Sequence, residues 1–271
     1  MDIVLDDETF FASIPCYLEA LDEEGYTVIP DYMDRSMTAA IRDHLDAIIP
    51  MKLPGALQVV SGVNEIRHPI PGAIMPQLAS NPRTLKLAQI LLRSDDLRLR
   101  EQILSRTDPI PPPYSNSFHI DAPFLLEEYE ATPRQIFYQM IQYCSTVAEG
   151  GAAVMIIPRS HKLTYAVNRG DRTDEERKAL SMHPFEVAGV DPKDGIEICA
   201  NDGDLLIFNA MCLHGSSRNR TQQSRYVYFT SFYDPSATWL VDFCRTKNYR
   251  DDFPDSLRDG LTPELLPMLE R

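Results

Sequence analysis

Residues 203–216 read GDLLIFNAMCLHGS, and this stretch points to a β-rich fold. Leu205 to Phe208 is an apolar run typical of a buried strand, and the turn-forming residues 201–204 come directly before it. Further runs rich in β-branched and aromatic residues are also predicted as strands, namely Gln135 to Cys144, Ala152 to Ile157 and Tyr226 to Phe232. The second half of the chain is therefore predicted to be mainly β.

The first part of the chain carries helical patterns instead. A helix is predicted from Cys16 to Glu24, because Gly25 is a natural helix stop. Asp34 to Ile49 has apolar residues at helical spacing, and Arg83 to Leu92 is also predicted as a helix. Shorter segments are predicted as strands, namely Tyr26 to Ile29 and Leu97 to Ser105.

The order of these elements predicts the architecture. Helices followed by a run of strands are typical of a β-sandwich or a jelly roll with helices packed on one face. No Pro/Gly/Ser-rich linker divides the 271 residues, so we expect a single domain. We expect a helical N-terminal part at about 1–95, a jelly-roll core at about 96–235 and a C-terminal extension at about 236–271.

The composition argues against several classes of protein. With 26 Lys and Arg against 40 Asp and Glu, the formal net charge is −14, whereas nucleic-acid binders usually present a basic face. The same acidity disfavours docking on anionic membranes, and no apolar run reaches the roughly 18 residues of a membrane span. Five cysteines without CxxC spacing, and an acidic N-terminus, favour a cytoplasmic protein. The sequence leaves the oligomeric state open.

Two of the six histidines have informative neighbours. His119 and Asp121 are two residues apart, so in a strand both side chains point to the same side. If the fold brings His214 beside this pair, two imidazoles and one carboxylate share one face. Such a facial triad is diagnostic of non-haem Fe(II) oxygenases, whereas zinc prefers a tetrahedral site. A surface histidine beside an aspartate is the alternative interpretation.

Arg225 follows His214 by eleven residues, at the start of the next predicted strand. A buried guanidinium needs an anionic partner, because an unpaired buried charge is costly. Its planar fork suits a carboxylate. That carboxylate belongs either to an Asp or Glu of the chain or to a cosubstrate bound at the metal.

Four blocks of the sequence resemble the phytanoyl-CoA dioxygenase family of Fe(II)/2-oxoglutarate-dependent oxygenases. They appear in the family's order within residues 18–232, and they are EEGYTVIP (23–30), FHID (118–121), GGAAVMIIPRSHK (150–162) and the stretch from Gly203 to Arg225. The resemblance implies a mainly β fold with flanking α-helices around a double-stranded β-helix (jelly roll, cupin-like) core.

The resemblance also implies roles for individual residues. It implies His119, Asp121 and His214 as iron ligands. Arg225 and Ser216 would bind the distal carboxylate of 2-oxoglutarate, with O2 as the oxidant. Asn116 and Gln142 are weaker candidates for further cosubstrate contacts. Gln139 and Gln142 lie on opposite faces of their strand, so at most one of them points inward, and Gln142 does so if Tyr138 and Met140 face the cleft.

One departure from the family's pattern and one residue that follows it concern the site. Arg159 stands where the family usually has glycine, which either changes a turn or adds a charge near the cleft. Asp121 is a carboxylate, whereas related halogenases have a small residue there and leave the position for chloride. The resemblance therefore implies hydroxylation, desaturation or cyclisation rather than chlorination.

The substrate is less well defined by the sequence. Aromatic residues flank the predicted mouth and indicate either core packing or an apolar small-molecule pocket, namely Tyr114, Phe118, Phe124 and Tyr138. The resemblance implies oxidation of a small organic metabolite, as in natural-product biosynthesis. The alternatives are a catalytically silent jelly roll that binds a ligand or metal, and a cupin-type metalloenzyme that uses no 2-oxoglutarate. Arg225, together with the complete triad, argues against both alternatives.

Overall fold

The computed structural model describes residues 6–51, 56–58, 62–67, 70–112, 118–121, 137–168, 173, 175, 185–186, 189–237 and 253–270. In chain order the strands are β1 (Tyr26–Ile29), β2 (Ala56–Gln58), β3 (Val63–Ile66), β4 (Arg98–Thr107), β5 (Phe118–His119), β6 (Tyr138–Tyr143), β7 (Val154–Ile156), β8 (Ile196–Ile198), β9 (Leu205–Asn209), β10 (His214–Ser216) and β11 (Arg225–Tyr233). The helices are α1 (Asp7–Glu24), α2 (Arg35–Ile48), α3 (Ile74–Ala79), α4 (Pro82–Leu92), α5 (Ser160–Asn168) and α6 (Asp255–Asp259). Short 3-10 helices span Ile49–Met51, Pro192–Asp194 and Leu266–Leu269.

The strands form two antiparallel sheets. The larger has seven strands in the order β1-β9-β6-β11-β4-β3-β2, and the smaller has four in the order β5-β10-β7-β8. Most of the paired strands are distant in sequence, as in a jelly roll, whereas β2, β3 and β4 pair in succession and so do β7 and β8. The predicted fold class, mainly β with flanking helices, is therefore confirmed, and so are the predicted strands, whose ends shift by a few residues.

Each face of the larger sheet packs against a different layer. Its inner face meets the smaller sheet through apolar side chains such as Ile141, Leu206 and Val227, which pack with Val154 and Ile156 of β7. Its outer face packs against the helices through a second core, which includes Phe10, Ile41, Leu87, Met140, Ile207 and Tyr228. The central strand β6 is consequently buried along its whole length.

Capping residues set the helix ends near the predicted positions. Gly25 ends α1 with φ 84°, in the left-handed region that favours glycine. Asp34 caps α2 by accepting from the backbone N–H of Ser36, and Asn81 caps α4. Helix α1 is longer than predicted, because Asp6 caps its start and accepts from Thr9.

The segment before residue 95 is not only helical. It also supplies β1, β2 and β3, which pair with strands of the larger sheet. This N-terminal part therefore contributes to the jelly roll as well as covering it. No helix in the part of the chain that the structure describes has the length and apolarity needed to cross a bilayer.

Arg159 occupies a turn in which glycine would be less strained. Its φ is 64°, its backbone N–H donates to the Glu24 carbonyl at 2.8 Å, and its guanidinium pairs with the Glu24 carboxylate at 2.6 Å. Arg159 therefore keeps a glycine-type turn and adds a surface ion pair, which accounts for the departure from the family's pattern at this position.

Comparing Arg159→Gly with Arg159→Ala isolates the strain in this turn. Both variants remove the ion pair, but only alanine keeps a Cβ at positive φ. We expect the glycine variant to be more stable by about 1 kcal/mol, measured by urea unfolding. Equal unfolding midpoints in the two variants would show that the turn is unstrained.

Candidate metal centre

Three potential metal ligands meet where β5 and β10 pair. His119 lies directly opposite His214, with ring centroids 4.3 Å apart. Asp121 follows β5, and its backbone N–H donates to the carbonyl of Ala210 at 3.0 Å. Its two carboxylate oxygens lie 3.4 Å from His119 Nε2 and 3.5 Å from His214 Nε2. One ligand atom from each residue falls within 4.8 Å of the others, so all three can reach one ion.

The surroundings of His214 leave its Nε2 available to a metal. The Nδ1 atom of the buried imidazole lies 3.0 Å from the carbonyl oxygen of Cys212. A carbonyl only accepts, so Nδ1 carries the hydrogen in the neutral ring and Nε2 keeps its lone pair. Burial lowers the pKa of His214, which favours that neutral form. Orientation of a ligating histidine through its other nitrogen is the usual arrangement in metal sites.

Asp121 and His119 shift each other's pKa. Burial alone raises the pKa of Asp121, but His214 and His119 outweigh it and hold that pKa well below its usual range. The hydrogen bond to Asp121 raises the pKa of His119. An ionised carboxylate between two imidazoles is the donor set of a facial triad, which leaves about three positions open on an octahedral ion. The residues present therefore fit Fe(II).

A cavity of about 210 Å³ adjoins the triad between the two sheets. Ser216 and Gly215 of β10 line one side of it. The rest of the described lining mixes apolar with charged or polar side chains, namely Ile103, Ile141, Val154, Phe208, Phe229, Glu65, Arg67, Arg100, Glu101 and Gln139. The described walls are thus mixed in character, in contrast to the apolar pocket considered from the sequence.

Arg225 is buried at the start of β11, on the inner face that also carries Val227 and Phe229. Its Nη1 donates to the Ala152 carbonyl, and its Nε has no hydrogen-bond partner. Burial lowers the pKa of Arg225, although Tyr143 and Glu65 partly oppose the shift. No carboxylate among the described residues forms an ion pair with this guanidinium. The structure therefore does not support the internal salt bridge and leaves Arg225 suited to an external carboxylate.

Three of the weaker site predictions are contradicted. Gln142 and Tyr138 lie on the outer face of β6, because Gln139 and Ile141 are the residues that line the cavity. Phe118 points away from the triad and packs against Phe185, with ring centroids 5.3 Å apart. Because β6 is buried on both faces, no polar–apolar alternation in its sequence shows which face is inward.

The remaining candidates are placed as follows. Tyr114, Asn116 and Phe124 lie outside the described residues. His161 donates through Nε2 to the Asp22 carbonyl at 3.1 Å and takes no part in the triad, in agreement with a structural role.

Sequence reasoning missed the charged pair Arg100 and Glu101 in the cavity wall. Both are almost completely buried, with relative exposures of 2% each. The available signal was the placement of two adjacent charges inside a predicted strand, since Lys, Arg, Asp and Glu are almost never fully buried unless paired.

The sequence matches a known family over most of its length. The family model described as Phytanoyl-CoA dioxygenase (PhyH) matches residues 21–227. No curated protein sequence matches the chain.

Several crystal structures share the fold. The epimerase SnoN, in complex with Fe3+, alpha ketoglutarate and nogalamycin RO, is similar at a TM-score of 0.63 and 17% identity, over 82% of this chain and 84% of that one. HygX from Streptomyces hygroscopicus, with nickel and 2-oxoglutarate bound, is similar at a TM-score of 0.59 and 17% identity, over 80% of this chain and 85% of that one. The carbocyclase SnoK from nogalamycin biosynthesis is similar at a TM-score of 0.58 and 15% identity, over 85% of this chain and 84% of that one.

Proposed function

Because the chain belongs to the phytanoyl-CoA dioxygenase family of Fe(II)/2-oxoglutarate-dependent oxygenases, we propose that it oxidises an unactivated C–H bond of a small organic metabolite. Hydroxylation is the proposed reaction, with desaturation or cyclisation as variants of the same C–H oxidation. The observation that carries the proposal is the His119–Asp121–His214 cluster, with every ligand atom within 4.8 Å of the others.

The three ligands would hold Fe(II) and leave about three coordination positions for other groups. With 2-oxoglutarate and O2, the bound iron supplies the oxidising power for C–H cleavage. The protein orients the ligands. The Cys212 carbonyl holds the ring of His214, and the Ala210 carbonyl holds the backbone at Asp121. A site fixed in this way needs little rearrangement when the metal enters.

Arg225 would bind the distal carboxylate of 2-oxoglutarate. Its guanidinium is buried and its Nε has no hydrogen-bond partner, so an incoming carboxylate would satisfy both the charge and the donor. Low effective dielectric strengthens such a pair. Ser216 lines the cavity beside the triad and is proposed to help hold this carboxylate.

Natural-product metabolism is the proposed setting. SnoN and SnoK belong to nogalamycin biosynthesis, and HygX has been crystallised with hygromycin B. These proteins share the fold with the chain, which supports the setting without identifying the substrate. A cytoplasmic location is proposed as well, because the described cysteines, Cys16, Cys144, Cys199 and Cys212, are free thiols.

The proposal is tested first without oxygen. Purified apoprotein receives Fe(II) and then 2-oxoglutarate under anaerobic conditions, and we expect a weak metal-to-ligand charge-transfer band in the visible spectrum. Succinate release after admission of O2 then screens candidate metabolites. Iron binding without any 2-oxoglutarate-dependent band would favour a cupin-type enzyme, and failure to bind either would favour a silent relative.

A further inference from the structure

A β-bulge places two consecutive residues of β4 in the cavity wall. Glu101 pairs with Ser231 of β11, whereas Leu99 pairs with the next residue, Phe232, so Arg100 is the extra residue. Regular strands point successive side chains to opposite faces, but a bulge re-aims one of them. Leu99 consequently packs in the outer core, while Arg100 and Glu101 both line the cavity.

The bulge completes a polar row across the sheet beside the metal centre. Glu101 of β4 pairs with Ser231 of β11, and Gln139 of β6 lies one position beyond the Met140–Thr230 pair. Phe208 of β9 pairs with Gln139 and is the apolar neighbour at the end of this row. Phe208 contacts the His214 ring, with centroids 4.4 Å apart. The row therefore lies at the level of the triad, whereas Arg225 lies at the other end of the inner face of β11.

Donors in the row converge on one oxygen of Glu101. Gln139 Nε2 donates to Oε1 at 2.7 Å, Ser231 Oγ donates to it at 3.3 Å, and Arg100 contacts it closely. Oε2 accepts no hydrogen bond from the described residues. The bond to Glu101 also fixes the Gln139 amide, whose Oε1 has no hydrogen-bond partner. Two acceptor oxygens next to the metal centre are thus left for another group.

Arg100 is already engaged as the counter-ion of Glu101. Its guanidinium carbon lies 3.8 Å from the centre of the Phe137 ring, and its Nη1 also donates to Ser231 at 3.4 Å. The Arg100–Glu101 pair is neutral overall, so neither an anion nor a cation is needed to balance its charge. The partner that the free acceptors require is a neutral hydrogen-bond donor.

We propose that Glu101 and Gln139 bind an alcohol hydroxyl of the substrate and thereby select which C–H bond faces the metal. The hydroxyl donates to Gln139 Oε1, and Glu101 Oε1 accepts from the Nε2 of the same amide and so fixes its orientation. The substrate class is therefore a neutral, hydroxylated small molecule. This inference rests on the proposed function for its place in catalysis, but the binding itself is measured without turnover.

Ligand-observed saturation-transfer NMR tests the subsite on protein loaded with Zn(II), a diamagnetic stand-in for iron, and with 2-oxoglutarate. The probes share one ring and differ only in the polar group, namely cyclohexanol, methoxycyclohexane and cyclohexylammonium. We expect cyclohexanol to bind about three- to tenfold more tightly than the ether, the worth of one hydrogen bond. Equal binding of alcohol and ether, or tighter binding of the ammonium, would overturn the assignment.

Two matched variants locate the effect. Gln139→Met removes the free carbonyl, so we expect it to abolish the preference for the alcohol. Gln142→Met makes the same change on the opposite face of β6, where Oε1 also lacks a partner, and is expected to keep the preference. Loss in both variants, or in neither, contradicts the proposal. If Gln139→Met does not fold, the three-probe comparison on the wild type still decides.

The same spectra separate this inference from the proposed function. Saturation of the 2-oxoglutarate signals reports the cosubstrate site. Normal 2-oxoglutarate binding without an alcohol preference defeats only the hydroxyl subsite. An alcohol preference in protein that binds no 2-oxoglutarate defeats the proposed oxygenase and leaves the hydroxyl contact standing.

Discussion

His214→Ala is expected to abolish iron binding and with it all 2-oxoglutarate turnover. The side chain is one of the three proposed ligands, and its burial prevents water from replacing it easily. Loss of a residue that merely orients a ligand already costs about 10- to 100-fold in metal affinity, so loss of the ligand itself should cost more than about 100-fold. The measurements are metal content after desalting and the anaerobic charge-transfer band.

His161→Ala is the matched control for this variant. His161 is also a buried histidine with a backbone hydrogen bond, but it lies outside the triad. We expect it to lower the unfolding temperature and to retain metal and the charge-transfer band. Retention of stoichiometric iron by His214→Ala would show that the metal is held elsewhere.

Arg225→Met is expected to weaken 2-oxoglutarate binding by at least about a hundredfold. A buried carboxylate that loses its charged partner costs about 3–5 kcal/mol, and every 1.4 kcal/mol corresponds to about a factor of ten. Without cosubstrate the same change is expected to be neutral or stabilising, because an apolar side chain of similar length replaces a desolvated cation that has no carboxylate partner among the described residues.

Thermal unfolding with and without 2-oxoglutarate separates these two effects. The unfolding temperature of the wild type should rise when the cosubstrate is added, by mass action. Without cosubstrate, Arg225→Met should unfold at the same temperature as the wild type or at a higher one, and adding 2-oxoglutarate should not raise that temperature. Arg220→Met is the control, because Arg220 is about half exposed and faces Glu197 at 3.5 Å. An unchanged Kd in Arg225→Met would assign the carboxylate to another group.

The parts of the fold that follow from local chemistry were predictable from the sequence. Gly25 and Asp34 mark helix ends because they satisfy backbone groups that any helix leaves open. The cluster of His119, Asp121 and His214 was accessible because the spacing of an HxD pair places two side chains on one side of a strand. The structure brings the third ligand to them by pairing β10 with β5.

The cavity wall was not predictable for a different reason. Strand β6 is buried on both faces, so its sequence contains no alternation to show that Gln139, rather than Gln142, faces inward. At Arg100 the alternation of inward and outward side chains along β4 shifts by one residue. This bulge depends on pairing with β11, so the local sequence of β4 does not predict it. In a sheet that is covered on both faces, which side chains point into the cavity depends on how the layers pack together in the folded protein.

The bulge in β4 has a consequence for how such an enzyme can diverge. It lies in the seven-stranded sheet, whereas His119 and His214 lie in the four-stranded sheet and Asp121 directly follows β5. Insertion or deletion of one residue near Arg100 would reverse which side chains of β4 enter the cavity and leave the three proposed metal ligands in place. A length change of one residue in β4 is therefore expected to alter the cavity lining, and with it the choice of substrate, while the metal centre stays the same.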